Sequence, residues 1–226
     1  MVLDWLFAPQ CAACSQSAST LCEPCMRSLV ELGAACGRCA EPTSAAVCRR
    51  CTTTPLPLDQ ILSPWRFGGQ LASAIKRLKF ANGAHVARDV APLWAPLLGA
   101  VVETHDAIVV PVPLHWSRRL VRGYDQAWLL AVHACAAARL APPRALLRRT
   151  RGAPAQSKLS AVERRANLSG AFAVRDPGAI AGRAIVLVDD VVTTGATLAA
   201  AAVPLRQAGA TAVYGVALAR ASSSTE

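Results

Sequence analysis

Four Cys-x-x-Cys pairs within the first 51 residues constrain the fold of this 226-residue chain more than any other feature. Seven, ten and eight residues separate the successive pairs, which are Cys11/Cys14, Cys22/Cys25, Cys36/Cys39 and Cys48/Cys51. One pair can present two thiolates to a single ion, so two pairs complete a tetrahedral Zn²⁺ shell and four pairs suit two zinc ions. A segment of this size is too small for a hydrophobic core of its own, so metal binding is expected to supply most of its folding free energy.

The four pairs can combine in two ways. Joining the first pair with the second and the third with the fourth closes short loops at little entropic cost, and this arrangement is favoured. Joining the first with the third and the second with the fourth is the alternative. In both cases four thiolates leave no open position on the ion, which predicts structural rather than catalytic zinc. The ninth cysteine, Cys135, stands alone in an apolar stretch and is expected to be a buried small hydrophobe.

The sequence favours neither a membrane span nor secretion. Hydrophobic residues make up 53% of the chain, yet no apolar run approaches the roughly 18–20 residues that cross a bilayer. The first seven residues include an acidic side chain and lack the basic start and the cleavage site of a signal peptide. We therefore expect a cytoplasmic protein, whose thiols stay reduced.

Positive charge is concentrated in the middle of the chain. Residues 58–183 carry 18 basic and seven acidic side chains, a net charge of +11, whereas residues 1–57 carry four of each. A local excess of this size favours an anionic partner, either phosphates or nucleic acid. A basic face that only meets solvent is the alternative.

The remainder of the chain alternates apolar strands with helices. Strand-length apolar runs occupy residues 61–67, 107–112, 172–174, 184–189 and 211–219. Helical patterns occupy residues 71–80, 86–102, 124–140, 161–168 and 196–208, and a basic loop is expected at residues 117–123. This alternation is typical of an α/β domain with a largely parallel sheet flanked by helices. A Thr- and Pro-rich linker at residues 52–58 predicts a metal module over residues 1–57 and the α/β domain over residues 58–226.

The sharpest functional signal is the stretch from residue 185 to residue 198, IVLVDDVVTTGATL. It predicts a buried strand, two acidic residues, a short loop and the start of a helix. Helix N-termini offer unpaired N–H groups and a positive dipole end to a phosphate. The loop adds hydroxyl donors from its threonines, and Gly195 allows close backbone approach. The adjacent Asp189 and Asp190 could accept hydrogen bonds from a sugar diol, and the stretch lacks the lysine of a P-loop.

This stretch resembles the signature of the type I phosphoribosyltransferases, which bind phosphoribosyl pyrophosphate (PRPP). The resemblance implies that Asp189 and Asp190 hold the ribose 2′- and 3′-hydroxyls. It also implies a loop around the 5′-phosphate formed by Thr193, Thr194, Gly195, Ala196 and Thr197.

With the four cysteine pairs in front, the whole chain resembles the ComF family, in which a double zinc ribbon precedes a phosphoribosyltransferase domain. Further matches are Lys79-Phe80, residues 111–113, residues 122–126 and the spaced run from Gln156 to Phe172. The family fold implies that Pro113, Leu114 and His115 form the pyrophosphate loop. It implies that Arg118, Arg119 and Arg122 line the same anionic mouth, and the basic segment at residues 148–167, which contains Arg164, is expected to form a mobile hood.

The resemblance implies Mg²⁺-dependent transfer from PRPP to an acceptor, with Asp189, Asp190 and Arg122 as the catalytic residues. Mg²⁺ would sit mainly on pyrophosphate and ribose oxygens. Enzymes that act on 6-oxopurines carry an acid two positions before the loop glycine, where this chain has Thr193, so such a substrate is disfavoured. The alternative is a non-catalytic protein that binds single-stranded DNA and uses PRPP as a ligand. ComF proteins are associated with natural competence, so the DNA-uptake machinery is an expected partner.

Overall fold

The computed structural model describes residues 10–16, 21–80, 83–150 and 170–222. The strands in these ranges are β1 (Gln60–Leu62), β2 (Trp65–Arg66), β3 (Ala107–Pro111), β4 (Leu147–Arg149), β5 (Phe172–Val174), β6 (Ala184–Val192) and β7 (Ala212–Arg220). The helices are α1 (Glu23–Arg27), α2 (Arg49–Thr53), α3 (Gly69–Lys79), α4 (Ala84–Val90), α5 (Ala95–His105), α6 (Trp116–Arg122), α7 (Gln126–Ala137) and α8 (Ala196–Gln207). None of these helices has the length and apolarity needed to span a membrane.

A parallel sheet organises the domain that follows the cysteine-rich segment. Its order is β1-β7-β6-β3, and β2 also pairs with β7. β3 ends where Pro111 pairs with Val188, whereas β6 continues beside β7 as far as the pairing of Val192 with Arg220. The last residues of β6 therefore project beyond the end of β3, at the carboxyl edge where parallel sheets bind their ligands.

Helices cover both faces of this sheet. On one face, α3, α4, α5 and α7 contribute a core that includes Trp94, Leu98 and Leu130, each with no exposed surface. On the other face, α8 packs with β5 against a second core that includes Leu187 and Leu205. β4 and β5 form a separate antiparallel pair. The predicted α/β class, a mostly parallel sheet flanked by helices, is confirmed.

The cysteine-rich segment packs directly on the α/β domain. Its first half packs against α3, where Arg77 Nη1 donates to the Cys11 carbonyl over 2.8 Å. Cys11, Leu21 and Cys25 belong to the same buried core as the inner face of α3. The second half lies against β1, where the Ile61 N–H donates to the Arg38 carbonyl over 2.9 Å.

The expectation of a basic loop at residues 117–123 is wrong, because residues 117–122 lie in helix α6. His115 caps the helix, since its Nδ1 accepts from the Ser117 N–H, and Gly123 ends it in the left-handed region at a φ of 79°. Its apolar residues Trp116, Leu120 and Val121 are all exposed. Among its described side chains the helix therefore has no buried stripe of the kind that reveals a helix in sequence.

Strand boundaries also differ from the prediction. β6 does not end at Asp189 but continues to Val192, because Val191 and Val192 still pair with β7. The run at residues 61–67 is divided between β1 and β2. β4 was not predicted: its Leu147 is buried, but flanking arginines made the segment resemble a polar connector. The helix expected at residues 161–168 lies outside the described residues.

Candidate functional site

The eight N-terminal cysteines form two separate four-sulfur clusters. Cys11, Cys14, Cys22 and Cys25 make one cluster, and Cys36, Cys39, Cys48 and Cys51 make the other, with all sulfurs of a cluster within 4.8 Å of one another. The first pair thus combines with the second and the third with the fourth, as the loop lengths favoured. The Sγ atoms of Cys14 and Cys22 lie 3.6 Å apart, close to the roughly 3.8 Å separation expected around a zinc ion with Zn–S bonds of about 2.3 Å.

The two clusters repeat one hydrogen-bond pattern. In the first, the N–H groups of Ala13 and Cys22 donate to Cys11 Sγ over 3.4 and 3.3 Å. In the second, the N–H groups of Arg38 and Cys48 donate to Cys36 Sγ over 3.4 and 3.2 Å. Such bonds stabilise thiolates, which are the form that binds metal.

These hydrogen bonds lower the pKa of the two accepting thiols, Cys11 and Cys36. Burial raises the pKa of Cys11, but the backbone donors outweigh it and lower that pKa to about 6. The same balance lowers the pKa of Cys36 to about 6. Burial works against the charge of Arg50, yet its hydrogen bond to Cys39 and the negative charge of Cys39 and Cys51 raise its pKa. Both clusters therefore fit structural zinc, and Arg50 is placed to balance the charge of the second.

The two acidic residues of the long motif lie within β6, near its carboxyl end. Asp190 is 4% exposed, and its Oδ2 atom lies 2.6 Å from Nζ of Lys79, the last residue of α3. Asp189 keeps more accessible surface, and its Oδ1 accepts from the Asp190 N–H over 2.9 Å. The predicted pair is thus one ion-paired carboxylate and one that lacks a described cation partner of its own.

The environment of Asp189 disfavours its ionised form. Desolvation of the carboxyl is the main cause, and the neighbouring charge of Asp190 adds to it, so that the pKa of Asp189 is raised well above the ordinary 3.8. Lys79 and the Asp190 N–H act in the opposite direction and are weaker. A ligand that supplies hydrogen-bond donors, or a cation, would stabilise the ionised carboxylate here.

The loop after β6 leads directly into α8. Gly195 has a φ of 75°, and a side chain there would begin only 3.1 Å from methyl carbons of both Leu56 and Ile61. Thr194 Oγ1 accepts from the Ala196 N–H over 3.4 Å, and Thr193 is exposed. Glycine is required for both the conformation and the space, and the loop presents its N–H groups where a helix begins.

The loop after β3 emerges at the same edge of the sheet. Val112 still donates its N–H to the Val188 carbonyl over 2.9 Å, and Pro113, Leu114 and His115 follow. The Leu114 N–H donates to Asp125 Oδ2 over 2.7 Å, which fixes the middle of this loop. The structure therefore brings both predicted ligand loops to the carboxyl ends of the adjacent strands β3 and β6.

Together with the predicted Arg122, this edge is held by residues that were not among the predicted site residues: Lys79, Phe80, Tyr124 and Gln126. The Tyr124 hydroxyl donates to the Leu78 carbonyl over 2.7 Å, and Arg122 donates to Gln126 Oε1 over 3.0 Å while its guanidinium lies 5.3 Å from the centre of the Phe80 ring. Together with the ion pair to Lys79, these contacts join the end of α3, residues 122–126 and the acidic pair. The resemblance to the ComF family already singled out Lys79-Phe80 and residues 122–126. It did not reveal what each of these side chains contacts.

Arg119 is exposed on α6, and the side chain of Arg118 is not among the described ones. Of the expected hood, residues 148 and 149 lie in β4 rather than in a loop, whereas residues 151–167, including Arg164, lie outside the described residues. Cys135 is 1% exposed, and burial raises its pKa to about 11. Its predicted role as a buried apolar residue is confirmed.

Two families of known proteins match this chain. A family model described as a double zinc ribbon domain matches residues 2–53, and one described as a phosphoribosyl transferase domain matches residues 133–226. These matches define the class: a double zinc ribbon joined to a phosphoribosyltransferase domain.

Similar proteins of known name identify the family within this class. The chain is 32% identical over 202 residues to the DNA utilization protein YhgH of Escherichia coli (strain K12), covering 85% of this chain and 87% of the relative. It is 30% identical to Competence protein F of Haemophilus influenzae, covering 89% and 90%, and 30% identical to Competence protein ComFC of Bacillus subtilis (strain 168), covering 84% and 79%. The chain belongs to the ComF family.

Proposed function

We propose that this protein binds PRPP with Mg²⁺ at the carboxyl edge of β3 and β6 and transfers its phosphoribosyl group to an acceptor. The observation that carries the proposal is the convergence of three features at this edge: the acidic pair, the glycine loop that opens α8, and the loop at residues 113–115. A sugar bearing phosphates at both ends needs this set of acceptors and donors. The phosphoribosyl transferase family match supports the same ligand.

In this proposal each loop holds one part of PRPP. Asp189 and Asp190 accept hydrogen bonds from the ribose 2′- and 3′-hydroxyls. The N–H groups and hydroxyls of residues 193–197 bind the 5′-phosphate, helped by the start of α8. The loop at residues 113–115 binds the pyrophosphate, and Arg118, Arg119 and Arg122 neutralise it, joined by Arg164 from the following segment.

Catalysis then rests on positioning and charge. The C1–O bond to pyrophosphate breaks as an acceptor atom bonds to C1, through a state with positive charge on the ribose. Mg²⁺, when bound, neutralises charge on the leaving pyrophosphate. Arg122, oriented by Gln126 and Phe80, supplies further positive charge there. Since Thr193 stands where 6-oxopurine enzymes carry an acid, the acceptor is proposed to be a nucleophile that needs no base at that position.

A turnover assay tests this proposal. Protein containing two zinc equivalents is incubated with PRPP, Mg²⁺ and a panel of nucleobases and nucleic-acid components, and released pyrophosphate is measured. Transfer predicts acceptor-dependent release that is lost in D189N/D190N and kept in the surface variant E103Q. PRPP that binds but releases no pyrophosphate with any acceptor would contradict transfer and leave PRPP as a ligand.

A second candidate function is binding of single-stranded DNA. It is favoured by the net charge of +11 on residues 58–183, and by α6, where exposed Trp116 lies beside exposed Arg119. In this case PRPP would regulate binding rather than react. Affinity for a fluorescent oligonucleotide should fall steeply with salt, because phosphate contacts release counterions, and W116A should weaken it by about five- to a hundredfold if bases stack on that ring. An affinity that is insensitive to salt would exclude this mode.

The names of the relatives support a biological setting. Proteins called DNA utilization and competence proteins match most of the chain, so we propose that this protein acts with the DNA-uptake machinery.

A cytoplasmic location is proposed because all nine cysteines are free thiols, eight of which form the metal clusters, and thiols stay reduced in the cytosol. We also propose that the metal module comprises residues 1–57 and the transferase domain residues 58–226.

A further inference from the structure

The second cysteine cluster and the glycine loop share one apolar side chain. Leu56 packs against the cluster of Cys36, Cys39, Cys48 and Cys51. Its Cδ1 atom also lies 3.1 Å from the position that a Cβ atom on Gly195 would take. Leu56 therefore touches the metal module on one side and the loop before α8 on the other.

The segment that carries Leu56 is held from both ends. On the module side, the buried Arg220 at the end of β7 forms an ion pair with Glu41, and Arg38 Nη2 donates to the Leu58 carbonyl over 3.4 Å. On the domain side, Asp59 accepts from the Val213 N–H over 2.7 Å and pairs with Arg206 of α8. A shift of the metal module would be transmitted to Leu56 through this short connection.

The first cluster contacts a different part of the site. Through Arg77 it is attached to α3, whose last residue, Lys79, pairs with Asp190. It contributes to the core that contains α3, whereas Gly195 faces Leu56 and Ile61. The two clusters thus support two different elements at the edge of the sheet.

We propose that metal in the second cluster sets the conformation of the loop at residues 193–197, with Leu56 as the positioning residue. The four thiols lie in a segment without a core of its own, so metal holds the surface against which Leu56 packs. Loss of that metal releases Leu56, and the loop loses the side chain that packs against Gly195. The prediction for PRPP affinity rests on the proposed function; the prediction for loop mobility does not.

Hydrogen–deuterium exchange of the ligand-free, zinc-loaded protein tests the positioning role of Leu56. L56A keeps all eight cysteines and should retain two zinc equivalents, yet amides of residues 193–197 should exchange about fivefold faster or more. L58A is the matched control, since Leu58 is more buried but faces Gly215 rather than Gly195. Wild-type exchange of the loop in L56A, or equal acceleration in L58A, would overturn the proposal.

Loss of a single metal tests the link to the second cluster. C48S and C22S should each lose one zinc equivalent, measured by elemental analysis, but C48S should accelerate exchange at residues 193–197 more than C22S. Equal acceleration in the two variants would overturn the assignment to the second cluster.

PRPP affinity provides the last readout. L56A should weaken PRPP binding by about fivefold or more, and L58A by less. Wild-type PRPP affinity in an L56A protein with a loosened loop would show that the loop conformation does not control this ligand, and would overturn that part of the inference. Absence of PRPP binding by the wild type, with a loosened loop in L56A, would refute the proposed function while the positioning role stands.

Discussion

Asp189 lies where an ionised carboxylate costs stability. Its folded pKa is raised above 3.8 by desolvation and by Asp190. Between 3.8 and the raised value, the unfolded chain has released a proton that the folded protein retains, so rising pH favours unfolding across this window. Binding sites commonly keep such groups at the expense of stability, because the ligand later supplies the missing partner.

Replacing Asp189 with Asn should therefore stabilise the ligand-free protein. The gain in the free energy of unfolding should be negligible near pH 3.8 and should grow as pH rises, since Asn carries no charge to desolvate. Urea denaturation at several pH values measures it. E103Q, a carboxylate removed from an exposed helical position, serves as the control. A D189N variant with unchanged or lower stability at neutral pH would show that Asp189 is not strained.

Lys79 forms the ion pair with Asp190. Its removal in K79M should leave Asp190 buried without its counter-ion, which lowers stability and weakens PRPP binding; truncating one partner of a buried ion pair costs about 3–5 kcal/mol. K79R should recover part of both losses. K76M removes an exposed lysine from the same helix and should change neither. Calorimetry and urea denaturation measure the effects, and equal behaviour of K79M and K76M would contradict this role.

Asp125 connects two elements at the edge of the sheet. It caps α7, since its Oδ1 accepts from the N–H groups of Ala127 and Trp128, and its Oδ2 accepts from the Leu114 N–H. The start of α7 and the loop after β3 therefore depend on one carboxylate.

Truncation in D125A should destabilise the protein by about 1–2 kcal/mol through loss of the cap. It should also weaken pyrophosphate binding, because the loop at residues 113–115 loses its fixed point. D125N retains an acceptor for α7 and should keep most of the stability. The midpoint of urea unfolding and a titration with pyrophosphate and Mg²⁺ separate the two effects. Full pyrophosphate affinity in D125A would contradict the role in the loop.

The elements that sequence predicted well are those whose burial has a clear period or length. β3, β6, β7 and α8 bury continuous apolar runs or a regular stripe, so their positions followed from hydrophobic patterning. α6 presents its apolar residues to solvent, and its ends depend on a histidine cap and a left-handed glycine, features that patterning does not detect. Hydrophobic patterning therefore predicts the buried elements, and it misses α6, whose apolar residues are exposed and whose ends are set by capping residues.

The sequence also predicts that two parts of the candidate site, the acidic pair and the glycine loop, lie together. The acidic pair and the glycine loop are contiguous in the chain, so a strand followed by a helix was enough to bring them together. The ion pair between Lys79 and Asp190 joins residues 111 positions apart, and it depends on how α3 packs on the sheet. The contact between Leu56 and Gly195 likewise depends on tertiary packing and has no signature in the sequence.

At the scale of the whole molecule, the metal module is attached to the α/β domain through both of its halves. Cys11, Leu21 and Cys25 are buried with α3, and the ion pair between Arg220 and Glu41 fixes the second half to β7. Ligands that bind only the folded state stabilise it by mass action. Zinc should therefore stabilise the α/β domain as well as the segment that binds it.

Chelation of zinc should lower the thermal midpoint of one cooperative transition that includes the α/β domain. Far-ultraviolet circular dichroism follows the α/β helices and calorimetry counts the transitions. Readdition of zinc should restore the midpoint, and Mg²⁺ should not, because oxygen ligands suit Mg²⁺ and thiolates suit zinc. A domain transition that stays in place while a separate small transition disappears would mean that the two parts fold independently.

We propose that Asp189, Asp190 and the loop at residues 193–197 bind a phosphorylated ribose. Isothermal titration of the zinc-loaded protein with PRPP and Mg²⁺ tests it most directly, with ribose 5-phosphate as a second ligand that lacks the pyrophosphate. We predict saturable one-to-one binding of PRPP, weaker binding of ribose 5-phosphate, and loss of both in the D189A/D190A variant, which should remain folded. Equal PRPP binding by wild type and variant, or no binding by a folded wild type, would show that these residues do not form a PRPP site.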